Sequence, residues 1–236
     1  MGDPAMKPGP TAAAHVLCVC TANVCRSPAA ELLIRAGLAA RGDDGSVAVH
    51  SAGTWASDDR PIEPGTAAAL RRHGVPAEKV DAKRSVRLTR DAVARADVVI
   101  ASTAEHVRAV WRLQLAARHR TFTLGELARL SEGVAELPGP DAATRLRALV
   151  AHADMLREER RPPHGPYVSE AYDLEDPTDN DPAQRDMVAQ SAHWVDLVLD
   201  LVAGPALDRR TRPYRVPGVA RALQWSRHIA ARGAIR

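Results

Sequence analysis

His15-Val16-Leu17-Cys18-Val19-Cys20, running straight into Thr21-Ala22-Asn23-Val24-Cys25-Arg26-Ser27-Pro28, is the stretch on which the reading of this chain turns. The first six residues form a short apolar run bounded by a loop, as a fully buried strand does. Beyond the loop, Pro28 marks the first turn of a helix. That helix is expected to run through Glu31, Leu32, Leu33, Ile34 and Leu38 to about Arg41, where Gly42 and Asp43-Asp44-Gly45 stop it. Strand, tight loop and helix N-terminus in succession gather unpaired N–H groups around one point and so make an anion site. Successive loop amides deepen that site into a nest. Cys20 lies at the mouth of the loop, facing the positive end of the helix, which favours its thiolate. Arg26 can curl back over the loop and hold two phosphate oxygens in a bidentate fork. Nucleophile, cradle and clamp therefore lie between Cys20 and Pro28.

The rest of the chain alternates in the same way. Val47 to Ala52 reads as a second strand, Gly65 to His73 as a helix closed by Gly74, and Asp97 to Ala101 as a third strand. Glu105 to Arg118 places Val107, Val110, Trp111 and Leu115 at helical spacing. A short strand at Thr121 to Thr123, a short helix at Leu124 to Leu130 and a long last helix at Ala183 to Val202 follow. Such alternation predicts an α/β fold: a single domain with a central four-stranded parallel sheet, helices on both faces and the phosphate-binding loop after the first strand. Residues 1–14 read as a disordered leader, 15–203 as the domain and 204–236 as a basic tail, helical from Val219 onward. Residues 132–169 read as an insertion over the surface, with a helix from Ala142 to Arg160 between two proline-rich segments.

Composition narrows the class. The 236 residues are 45% hydrophobic and 26% charged, which suits a globular protein of one ample domain. A net charge of +3 is too small to argue for nucleic acid. Aromatics are 3% of the chain, so the core must be built from Ala, Val, Leu and Ile. Cys18, Cys20 and Cys25 are an odd, clustered set, which reads as reduced intracellular chemistry rather than a disulfide framework. They lack a second paired half and a nearby His, so no metal site is expected. Cys18, inside the strand, is expected to be a core residue. The N-terminus has no apolar signal core and no run reaches membrane-spanning length, from which a cytoplasmic location is expected. The basic face of the tail is of a kind that can touch a membrane surface, but such faces are more often solvated or docked on the protein itself.

The loop resembles the active-site loop of the low-molecular-weight protein tyrosine phosphatases, whose signature is Cys, five residues, Arg, then Ser-Pro. Further stretches resemble the family: Ser51-Ala52-Gly53-Thr54, Asp97-Val98-Val99-Ile100 with His106, Phe122-Thr123-Leu124-Gly125-Glu126-Leu127, and Asp176-Pro177. The resemblance spans roughly His15 to Ala203. It implies that Cys20 attacks phosphorus and that Arg26 and the loop from Thr21 through Ala22, Asn23, Val24 and Cys25 bind the phosphoryl oxygens. It implies further that Ser27 hydrogen-bonds the thiolate and that Asp176 is the general acid, chosen over Asp173, Glu175, Asp179 and Asp181. Cys25 would trap an oxidised Cys20 as a disulfide. No cofactor is implied. The implied partner is a phosphotyrosine protein, among bacterial relatives often a tyrosine kinase.

Two positions depart from the family. Ala22 stands where Gly is usual, and a positive φ there would cost about 1 kcal/mol. Thr178 stands where an aromatic residue usually walls the cleft, a part that Trp55 can take. Two other functions suit the same loop: an arsenate reductase coupled to a small thiol, since no cysteine pair follows Cys25, and a phosphate-binding regulatory module with weak catalysis.

Overall fold

A computed structural model describes residues 13–43, 45–160, 168–177 and 181–206. The apolar run forms strand β1 (Ala14–Cys20), followed by helix α1 (Arg26–Ala39) and strand β2 (Val47–Gly53). Helix α1 begins before Pro28, because a proline in the first turn removes an N–H that has no partner inside the helix anyway. Three short helices follow: α2 (Pro64–Arg72), α3 (Ala77–Ala82) and α4 (Arg90–Arg95). Strand β3 (Val98–Ala101), helix α5 (Ala104–Leu113), strand β4 (Thr121–Thr123) and helices α6 (Leu124–Ser131), α7 (Ala142–Arg160) and α8 (Asp181–Val202) complete the order.

The four strands form one parallel sheet in the order β2-β1-β3-β4, as the alternation predicts. Val16 pairs with Val49 on one side and Val98 on the other, so β1 is central and buried on both faces. Alternate residues feed two cores. Val16, Cys18, Val49, Val98, Ile100 and Phe122 face the larger one, packed against α1, α6, α7 and α8. Leu17, Val19, Ala52 and Val99 face a smaller one with Leu88, Val93, Val110 and Ala117. The chain leaves β1 toward β2 on one side and returns to β3 on the other, so the crevice beyond the carboxyl end of β1 is a topological switch point, where such sheets bind ligands.

Three expectations need correction. Helix α5 ends at Leu113, and Leu115–Arg120 is a 3-10 helix. No glycine or proline marks that break. Gln114 turns extended, with φ −154° and ψ 94°, and the tighter coil delivers Thr121 into register beside Val99. Helices α3 and α4 were not foreseen, since six residues are too few to show a period. The described part of the segment 132–169 does not lie over the surface. Leu137, Ala143, Leu146, Leu149, Val150 and Ala153 are buried in the larger core. Arg157 is 5% exposed and clamps Glu126 with two bonds of 2.8 Å. It also donates to the Thr121 carbonyl at 2.8 Å and stacks 3.9 Å above the Phe122 ring. The leader through residue 12, the second proline-rich stretch, Thr178, Asp179 and the tail from residue 207 lie outside the described residues. Among the described residues no helix is long and apolar enough to cross a membrane.

Candidate active site

Strand β1 delivers Cys20 to the rim of the sheet, buried at 2% exposure. Its Sγ lies 2.9 Å from Ser27 Oγ and accepts from the Asn23 amide at 3.3 Å. Ser27 Oγ accepts from Asn23 Nδ2 at 2.8 Å. The single hydroxyl proton of Ser27 then has two acceptors, the sulfur at 2.9 Å and the Ala52 carbonyl at 3.4 Å, and sulfur is the nearer. Helix α1 opens at Cys25 with no side-chain cap, so its first-turn amides remain available to a ligand.

Asn23 holds the loop. Its φ of 56° makes it the left-handed residue there, a conformation Asn tolerates. Ala22 has no positive φ, so the family's glycine is replaced without backbone strain. The Asn23 side chain donates to Ser51 Oγ at 2.8 Å and accepts from the Val86 amide at 2.8 Å. Ser51 in turn donates to Glu31 Oε2 at 2.7 Å. Glu31 is 3% exposed and is neutralised by Lys83 at 2.6 Å and Arg35 at 3.0 Å. A buried polar chain thus links Lys83, Glu31, Ser51, Asn23 and Ser27 to the sulfur, with each member satisfied by the next. Gly53 is required here by close approach: a Cβ would meet the Thr21 carbonyl oxygen at 2.4 Å and the Asn23 nitrogen at 2.9 Å.

Arg26, 5% exposed, folds back over the loop. Its guanidinium donates to Thr21 Oγ1 at 3.4 Å and to the Leu174 carbonyl at 3.5 Å, and pairs with Asp176 at 3.0 Å. Asp176 itself is mostly exposed. Asp173, one of its acidic competitors, is occupied elsewhere: it accepts from the Ala104 amide at 2.7 Å at the start of α5, and burial pushes its carboxyl up. Thr21 Oγ1 also meets His106 Nε2 at 2.9 Å, while His106 Nδ1 meets Thr103 Oγ1 at 2.6 Å. Burial, reinforced by the Arg26 charge, lowers the His106 imidazole to about 4. It is neutral at pH 7 and leaves the positive charge of the pocket to Arg26.

Cys25 is half-buried, and burial pushes its thiol up to about 11. Cys18 is fully buried in the core, as expected, and burial raises its thiol well above the usual range. The Trp55 amide donates to the Thr21 carbonyl at 2.9 Å, which ties this residue to the loop while its indole stands 80% exposed at the rim. The candidate residues therefore converge on one end of the sheet. Glu31 and Lys83 carry roles that sequence reasoning missed. Glu31 had a faint signal, a charge set among Leu32, Leu33 and Ile34. Lys83 had none.

An anion cradle with a cysteine at its mouth defines a class, the cysteine-dependent phosphatases, and the loop's place after the first strand of a parallel sheet narrows it. The sequence settles the family. The profile described as low molecular weight phosphotyrosine protein phosphatase matches residues 15–159, and the chain belongs to that family of cysteine-dependent hydrolases. A probable low molecular weight protein-tyrosine-phosphatase, EpsP, of Ralstonia nicotianae is 30% identical over 112 residues, 48% of this chain and 71% of the relative. A protein-arginine-phosphatase of Bacillus subtilis is 33% identical over 118 residues, 50% of this chain and 75% of the relative. Among solved structures, a low molecular weight protein tyrosine phosphatase from T. tengcongensis shares the fold, with a TM-score of 0.56 at 22% identity, covering 80% of this chain and 99% of the other.

Proposed function

We propose that the chain hydrolyses phosphotyrosine in proteins through a cysteinyl-phosphate. The observation that carries this reading is Cys20 Sγ, 2.9 Å from the Ser27 hydroxyl at the open end of α1, with Arg26 folded over the same loop. The phosphoryl oxygens take the loop amides of Thr21 to Arg26 and the Arg26 fork, which stabilise the charge of the transition state. Cys20 Sγ attacks phosphorus in line, the S–P bond forms and the P–O ester bond breaks. Asp176 gives its proton to the leaving phenolate oxygen. In the second step Asp176 takes a proton from water, the new O–P bond forms and sulfur departs as a thiolate that Ser27 stabilises. Asp176 pairs with Arg26. An arriving phosphate draws that guanidinium onto its own oxygens and frees Asp176 to act as the acid.

Trp55 forms the wall for the substrate ring. Its indole provides a large face at small entropic cost. The relative named a protein-arginine-phosphatase makes phosphoarginine the substrate to test against. The experiment measures turnover of matched phosphotyrosine and phosphoarginine peptides. Cys20→Ser is expected to lower kcat by about a thousandfold or more for any phosphorylated substrate. Asp176→Asn is expected to slow esters in proportion to how poor their leaving group is. A rate indifferent to Cys20→Ser would falsify the mechanism. Faster turnover of phosphoarginine would reassign the substrate and leave the chemistry standing.

A further inference from the structure

The second face of the sheet is incompletely covered. Helix α4 packs across β1 but leaves the edge strand β2 open. A cleft of about 380 Å³ results, floored by Leu17, His50 and Ala52 and roofed by the segment that leads into α4. The parallel register sets Leu17 beside His50, and His15 lies on the same face two residues earlier. His15, His50, Lys83, Arg87 and Arg95 line this space together with Thr89, and among the described residues no carboxylate does. The Lys83 ammonium is committed to Glu31. Among the described residues the Arg87 and Arg95 guanidinium groups and the two imidazoles carry no hydrogen bond or ion pair. Two unpaired guanidinium groups at the wall of a cleft large enough for a small molecule are arranged for charge-assisted, bidentate contact with oxyanions.

The same cleft reaches the machinery that holds the nucleophile. Lys83, Ser51 and Val86 line it, and each is a link in the support of Asn23, with the Ser51 hydroxyl turned through the sheet to Glu31 on the α1 face. Lys83 neutralises Glu31, which accepts from Ser51. Ser51 accepts from Asn23, and the Val86 amide donates to Asn23. We propose that this cleft is a second anion site, distinct from the phosphate loop, which binds a small polyanion carrying phosphate or carboxylate groups and thereby modulates the loop. A polyanion seated between Arg87 and Arg95 competes with Glu31 for the Lys83 ammonium. Loosening that pair relaxes Ser51 and Asn23, and with them the contact to Cys20. The coupling is a differential interaction carried by named hydrogen bonds, which is what linkage between two sites requires.

The test uses inorganic tripolyphosphate on the full chain with vanadate present in excess to occupy the phosphate loop. The imidazole resonances of His15 and His50 report the cleft, and that of His106 reports the loop. Saturable shifts at His15 and His50 are expected with His106 unmoved by direct contact, together with a change in kcat that substrate does not relieve in assays without vanadate. The variant R87Q/R95Q is expected to keep its activity without tripolyphosphate and to bind the probe at least about tenfold more weakly, from the loss of two charge-assisted contacts. Shifts confined to His106, inhibition fully relieved by substrate, or unchanged affinity in the double variant would each overturn the proposal. The resonances are read independently of turnover, so an inactive enzyme would not mask the result.

Discussion

Asn23 carries more of the loop than any other single side chain. It supplies the left-handed turn, bonds Ser27, Ser51 and the Val86 amide, and is 1% exposed. Asn23→Ala leaves buried polar partners unmet and puts a Cβ without a local hydrogen bond in the left-handed region. Chemical denaturation is expected to show a loss of about 2–4 kcal/mol. Asn23→Gly separates the two causes, because glycine restores the backbone freedom but not the bonds, and is expected to recover about 1 kcal/mol of that loss. Further out along the chain of bonds, Lys83→Met leaves the Glu31 carboxylate at 3% exposure with the Ser51 hydroxyl and the half-exposed Arg35 as partners. That variant is expected to lose about 3 kcal/mol, while Lys83→Met combined with Glu31→Gln loses less than Lys83→Met alone. A double variant as unstable as the single would show that the charge pair is not what matters. That Cys20, Arg26 and Asp176 lie together was legible in the sequence, because the loop is contiguous and a resemblance pointed to Asp176. Lys83 was not, because its partner lies across the edge of the sheet, and no local pattern records a contact made by the fold.

At the scale of elements, the start of α5 shows how a helix end is fitted to the loop. Thr103 caps it, Asp173 accepts from its first amide, and His106 joins Thr103 to Thr21. The neutral imidazole is what fits there. The unfolded chain takes up a proton near pH 6.5, whereas the folded ring does so only near 4, through burial and then the Arg26 charge. Stability from this residue is intact above pH 6.5 and drains away as pH falls from there to 4, by an amount on the order of 3 kcal/mol. Melting temperatures at pH 7 and pH 5 should differ less in His106→Gln than in the parent. An equal difference would mean that other groups govern the acid limb. Cys25 behaves oppositely, since its thiol ionises near 9 when unfolded and near 11 when folded. Its burial therefore stabilises below pH 9 and ceases to as pH approaches 11. Element types were readable because β1 and β3 are short apolar runs bounded by loops and α8 is long. The end of α5 and the two six-residue helices were not, because tertiary demands set them against no contrary propensity.

On the scale of the whole molecule, the segment between α6 and α8 shows where a reading by composition fails. Proline-rich flanks make residues 132–169 look like decoration, yet α7 completes the larger core. Its sequence gave little warning, because Arg147, Arg157 and His152 interrupt the apolar face and blur the period. The structure resolves this by turning Arg157 inward, where Glu126, the Thr121 carbonyl and the Phe122 ring receive it. Arg157 thus joins α7 to β4 and to the start of α6, far along the chain from its own position. Glu126 also accepts from the Thr123 amide in the capping box of α6, so the ion pair and the helix start share one carboxylate. Arg157→Met keeps much of the packing but strands a buried carboxylate, and is expected to lower the unfolding free energy by about 3–5 kcal/mol. The variant Arg157→Met/Glu126→Gln should recover part of that loss, because no uncompensated charge then remains. Arg157 acts on Glu126, the Thr121 carbonyl and Phe122, so kcat per folded molecule should stay unchanged in both variants at a temperature where they remain folded. Urea unfolding and active-site titration, read on the same samples, separate the two effects. An unfolding midpoint equal to that of the parent would return this segment to the surface, whereas a fall in kcat at full folding would tie α7 to the chemistry at the other end of the sheet.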